Sequence, residues 1–146
     1  MILPGGLLEA MSADHRSHRV SLVILKDESA TYSILKKTFS KLALDFTLYV
    51  RREEKVVYQF MLGTNGLKAM AIEGKEKLHI IQDLFKELKK IPVINKKIWR
   101  EKAKVIAELV EHHTKEEEFT FAALRANLSD EMDKRLQTKY KKVVFV

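Results

Sequence analysis

The sequence predicts an all-α protein: an up-down-up-down four-helix bundle with a short additional C-terminal helix. Three observations carry this. Apolar residues recur at alternating steps of three and four over long windows, the spacing of helices packed lengthwise at shallow angles. The 5 glycines and 2 prolines of the 146 residues fall mostly between those windows. The stretches that could pass for strands, "FTLYV" and "KVVYQFML", keep the helical period when read in a longer window, so no strand is expected.

The elements follow in order, with helical segments of about 20, 33, 24 and 30 residues and a short fifth. Pro4, Gly5 and Gly6 precede the first, whose inward positions are Leu8, Met11, His15, His18, Leu22 and Leu25. A break at Leu25–Ser29, with Ser29 as candidate N-cap, opens the second. Its inward face reads Leu35, Phe39, Leu42, Phe46, Tyr49, Glu53, Val56 and Phe60. The turn signal "GTNG", Gly63–Gly66, leads to the third, with Leu67, Met70, Gly74, Leu78, Ile81, Phe85 and Leu88 inward. Pro92 and Asn95 mark the next connection. The fourth then reads Ile98, Lys102, Val105, Leu109, His112, Glu116 and Phe119, and Ser129 is a candidate cap for the fifth. The length suits one domain, residues 1–146, with a substantial core.

Composition excludes several classes of function. With no cysteine there is no disulfide, no thiol catalysis and no cysteine-based metal site, which fits a reducing, cytoplasmic setting. No apolar run reaches the roughly 18 residues of a membrane span. The opening "MILPGGLLEAM" lacks the basic and apolar regions of a signal peptide. The net charge of +7 is spread among acids, as in "KEKLHIIQDLFKELKK", and reads as a solvated helix surface. No nucleic-acid motif, nucleophile motif or phosphate-binding glycine loop appears, so the sequence points to a binding protein rather than an enzyme.

Polar groups interrupt three of the four inward faces: His15 and His18, Tyr49 and Glu53, and His112 and Glu116. A buried carboxylate must be paired, protonated or bound to an ion. His and Glu four apart share one helix face, and such pairs on facing helices can converge on a metal in a bundle core. The other reading is a closed hydrogen-bond network without an ion. Glu117 and Glu118 read as solvent-facing, with Arg51 and Arg52 as basic counterparts elsewhere.

The motifs carrying these groups resemble those of the hemerythrin-like, HHE cation-binding family, from about residue 7 to residue 142. "ADHRSHRV" supplies Asp14-His15, and "YVRREEKVVYQF" supplies Glu53 and Tyr58. "EKLHIIQDLFKEL" is similar to the third-helix opening. "HHTKEEEFTFAAL" supplies His112, Glu116 and Phe121, and "LSDEMDKRLQTKYKK" resembles the last helix. The resemblance implies non-haem iron, one or two ions, with a position open to dioxygen or another small diatomic ligand. Its implied metal residues are His15, Glu53, His112 and Glu116. Tyr49 stands where the family's second-helix histidine would be, as a phenolate ligand or a core tyrosine. Leu78 falls on the third-helix histidine position, and His79, one residue later, is a further candidate metal ligand that faces the site if the local helix shifts or rotates. Gln59 and Ala122 replace two family prolines. The implied role is sensing or handling of oxygen, iron, nitric oxide or peroxide. The alternative is a metal-free bundle serving as an interaction or regulatory module, with the basic surface and Val143–Val146 as contact points for a protein partner of unspecified kind.

Overall fold

The structure, a computed structural model, describes residues 4–91 and 95–144. Its helices are α1 (Leu7–Leu25), α2 (Tyr32–Arg52), α3 (Tyr58–Leu62), α4 (Lys68–Lys90), α5 (Lys96–Phe119), α6 (Phe121–Ala126) and α7 (Asp130–Lys142). A π-helical turn, Glu53–Val57, joins α2 to α3 without a break in the rod. Among the described residues there is no strand, as the helical period required. The expected turn at Pro92 lies outside the described residues.

Local chemistry sets the ends. Gly66 takes a left-handed φ of 87° between α3 and α4, and Asn95 caps α5 by accepting from the Lys97 and Ile98 amides. Ser129 caps α7 as expected, accepting from Met132. The cap of α2 is Thr31 rather than Ser29, whose amide and hydroxyl turn back onto Asp27. α1 has no cap of its own. Asp133 of α7 supplies one, its Oδ1 accepting from the Leu7 amide at 2.6 Å in a buried setting. Gly6 permits that approach, since a Cβ there would lie 2.6 Å from Asp133 Oδ2.

α1 packs against α2, α5 and α7, and α4 packs against α2, α3 and α5, giving the up-down bundle with α7 laid beside α1. The expected inward faces of α1 and of α2 as far as Val56 are buried throughout. On α4, Leu67, Leu78, Ile81, Phe85 and Leu88 are buried as expected. Beyond these, two registers differ. On α3 the structure buries Tyr58 and Met61, leaving Phe60 only partly covered. On α5 the whole face turns by one residue: Trp99, Ala103, Ile106, Val110, His113 and Glu117 are buried, while Ile98, Val105, Leu109 and Phe119 are exposed. α5 carries two parallel stripes, and the one that wins buries the large Trp99 ring and offers Ala103 and Ala107 for close helix approach. The losing stripe would have buried the Lys102 ammonium, a cost without compensation.

Candidate metal centre

Towards the C-terminal ends of α2 and α5 the apolar core gives way to a cluster built from α1, α2, α5 and the π turn. Glu117 is at its hub. Its Oε1 lies 2.8 Å from His15 Nε2, and its Oε2 accepts from the Tyr49 hydroxyl at 2.5 Å. His113, one turn earlier on α5, places Nε2 at 3.6 Å from Glu117 Oε2, too far for a hydrogen bond. The second nitrogen of His15 meets Glu118 Oε2 at 3.0 Å, and Arg19 closes on the same carboxylate at 2.6 Å. His18, one turn along from His15, sets its ring edge-to-face with Tyr49 at 5.1 Å.

The π turn decides what faces this cluster from the second rod. The Tyr58 amide donates to the Glu53 carbonyl five residues back, which adds one residue to the turn. One extra residue rotates everything after it by about 100°. Glu53 stays inward, and Tyr58 and Met61 take the inward positions a continuous α-helix would have given to residues one earlier. Such turns are rare and recur at functional sites.

A cavity of about 100 Å³ opens between α3, α4 and α5 beside the cluster. Glu53, Tyr58, His113 and Glu117 form its polar wall, Met11, Met61, Met70 and Leu124 its apolar wall, and Glu73, Gly74, Lys77 and Glu116 its mouth. Both Glu53 oxygens, both His113 ring nitrogens and the Tyr58 hydroxyl are buried without a hydrogen-bond partner.

The two carboxyls are driven to opposite protonation states. Burial, and then the negative Glu117 beside it, push Glu53 well above the usual carboxyl range and favour its neutral form. Burial alone would raise Glu117 too, but the His113 and His15 imidazoles overcome it and hold the carboxylate ionised. His15 also loses by burial, yet its two carboxylate neighbours raise it overall and favour the imidazolium. For His18 burial outweighs the nearby Asp14 and Asp45 carboxylates and pushes the imidazole down to about 4. Tyr49 remains a phenol, raised by burial and by Glu117.

The profile of the Hemerythrin HHE cation binding domain matches residues 6–134. The chain belongs to that family. No curated protein and no solved structure is significantly similar to it.

Within this hemerythrin HHE domain, the residues expected from the sequence divide into two groups. His15, Tyr49 and Glu53 lie in the buried cluster. His112 and Glu116 do not: they pair with each other at 2.5 Å on the outer face, with the His112 side chain 73% exposed, and Lys77 binds Glu116 at the cavity mouth. The inward pair is His113 and Glu117, so the reading of Glu117 as solvent-facing is also corrected. The repeats His-His and Glu-Glu-Glu satisfy a His-x-x-x-Glu spacing in either register; Lys102 in the expected stripe was the signal that could have separated them. His79 faces Glu54 at 2.5 Å near the surface, while Leu78 fills the core. Of the basic pair, Arg52 holds Asp14 at 2.9 Å, and Tyr140 of α7 donates to the same carboxylate. Tyr58 was noted only as a motif match, and no periodicity argument foresaw that it would face the site.

Among the described residues no three His, Asp or Glu side chains stand as a ready metal-ligand group, and Glu117 is bonded by His15 and Tyr49. Their chemistry nonetheless suits a cation. Unpartnered buried polar groups cost about 1–3 kcal/mol each, and here they share one cavity wall with an ionised carboxylate. Carboxylate oxygens and imidazole nitrogens are donors that first-row transition-metal cations share.

Proposed function

We propose that this hemerythrin HHE domain binds a single non-haem iron ion in the cavity beside Glu117, with Glu53, His113 and Glu117 as ligands. The observation that supports this is the set of buried, unpartnered donors of Glu53 and His113 facing one cavity in a chain of a cation-binding family. One ion is favoured over two because the carboxylate that α4 brings to the cavity, Glu73, lies at the mouth paired with Lys77 at 2.9 Å, and the buried α4 position Leu78 carries no donor.

Bound there, iron would supply a redox couple and a coordination position reachable from the cavity. The chain's own residues define the rest. His15 and Tyr49 hold Glu117 from behind and fix the orientation of its carboxylate, as outer partners do for metal ligands. Glu53 must release its proton to bind, which makes loading pH-dependent. The methionines and Leu124 keep the inner cavity apolar, and its volume accommodates a small molecule such as dioxygen, nitric oxide or peroxide. Sensing or handling of such a molecule, or of iron itself, is the role this arrangement favours.

The competing reading is a metal-free bundle that serves as an interaction module. It is favoured by the closure of His15, Tyr49 and Glu117 on one another and by the absence of a ready ligand group among the described residues. Elemental analysis of protein purified without added metal or chelator, followed by anaerobic titration with ferrous iron, separates the two. About one iron per chain supports the proposal. A protein that arrives empty and takes up none supports the module.

A further inference from the structure

We propose that Tyr58, and not Tyr49, is the phenol that ligates the ion, seated in the space that Gly74 leaves on α4. The inference rests on the iron reading above and adds to it a ligand from a different helix turn.

Three independent observations lead to it. The Tyr58 hydroxyl is buried and has no hydrogen-bond partner, while it lines the same cavity as Glu53, His113 and Glu117. The Tyr49 hydroxyl is already committed to Glu117 at 2.5 Å and does not line that cavity. Gly74 makes room for the ring: a Cβ there would lie 2.8 Å from the Tyr58 oxygen and 3.2 Å from Cζ. Any other residue at position 74 would displace the phenol. The π turn completes the arrangement, because the bond from the Tyr58 amide to the Glu53 carbonyl turns Tyr58 onto the wall that Glu53 already lines.

The chemistry balances simply. The Tyr58 O–H bond breaks as the oxygen–metal bond forms, and one proton passes to solvent. Without an ion, the phenol is buried beside the Glu53 and Glu117 carboxyls, which line the same cavity. A ferric ion reverses the sign of that local field and favours phenolate, as bound cations do for their ligands.

The test uses the full chain loaded anaerobically with ferrous iron and oxidised with ferricyanide, one electron per ion, with iron content measured on every sample. Ferric phenolate gives a visible charge-transfer band and phenolate ring modes in resonance Raman. The expected result is that Tyr58→Phe loses the band while keeping its helicity, Tyr49→Phe retains it, and Gly74→Ala shifts or weakens it. A band that survives Tyr58→Phe, or its absence from an iron-loaded wild type, overturns the assignment to Tyr58 and leaves the iron reading standing. A wild type that binds no iron overturns both.

Discussion

The Glu117 carboxylate of α5 lies 2.8 Å from the His15 imidazole of α1, and this contact ties two helices together at the level of the cavity. His113 and His15 favour the ionised form of the hub carboxylate, while burial favours the neutral form of Glu53 opposite. That division of charge governs most of the behaviour expected of the protein.

His15 and His18 should act in opposite directions on stability. His18 is depressed to about 4 in the fold against an ordinary value of 6.5, so the unfolded chain binds more protons between these values. Stability therefore falls as pH drops through that window, by up to about 3 kcal/mol in total. His15 is raised, so its contribution is full below 6.5 and is lost as pH rises through its folded value. Chemical denaturation of wild type and single variants across pH isolates the acid-side contribution of His18 and the alkaline-side contribution of His15. His18→Gln should flatten the acid limb, and His15→Gln the alkaline one.

Glu53→Gln should stabilise the metal-free protein while removing iron loading. A raised carboxyl contributes most below its unfolded value near 4.5, and its contribution declines as pH rises from there towards the folded value. The variant's advantage should then grow with pH by up to about 1.4 kcal/mol per unit. Melting temperatures of chelator-treated wild type and variant at pH 5 and pH 8 check this. An equal difference at both pH values would mean that Glu53 is not held neutral. Such a residue, costly to the empty fold, is expected where function opposes stability.

The cap on α1 comes from another helix, so its loss should also loosen α7. Asp133→Ala leaves the buried Leu7 amide unsatisfied and should cost about 1–2 kcal/mol, or roughly 3–6 °C in melting temperature. Gly6→Ala should give a similar loss by forcing the Asp133 carboxylate away. Calorimetry of both variants and of the double variant tests whether they break the same contact. If they do, the double variant melts no lower than the worse single one.

Much of this structure was legible in the sequence, and the failures have physical causes. On α1 and α4, a single apolar stripe left one register available. α2 resolved equally well, including the inward Tyr49 and Glu53. α5 presents two apolar stripes with duplicated His and Glu, and only the packing of Trp99 and the exclusion of Lys102 decide between them. The π turn after Arg52 is invisible to a 3.6-residue period, because nothing in "EEKVV" marks the added residue. For that reason periodicity does not put Tyr58 on the inward face, although the motif includes it.

The most direct test of the iron site compares the two registers of α5. Ferrous iron bound per chain would be measured anaerobically for wild type, Glu117→Gln and Glu116→Gln. The account predicts about one ion for wild type and for Glu116→Gln, and a loss of loading for Glu117→Gln. Loading lost in Glu116→Gln but kept in Glu117→Gln, or no iron in the wild type, would contradict it.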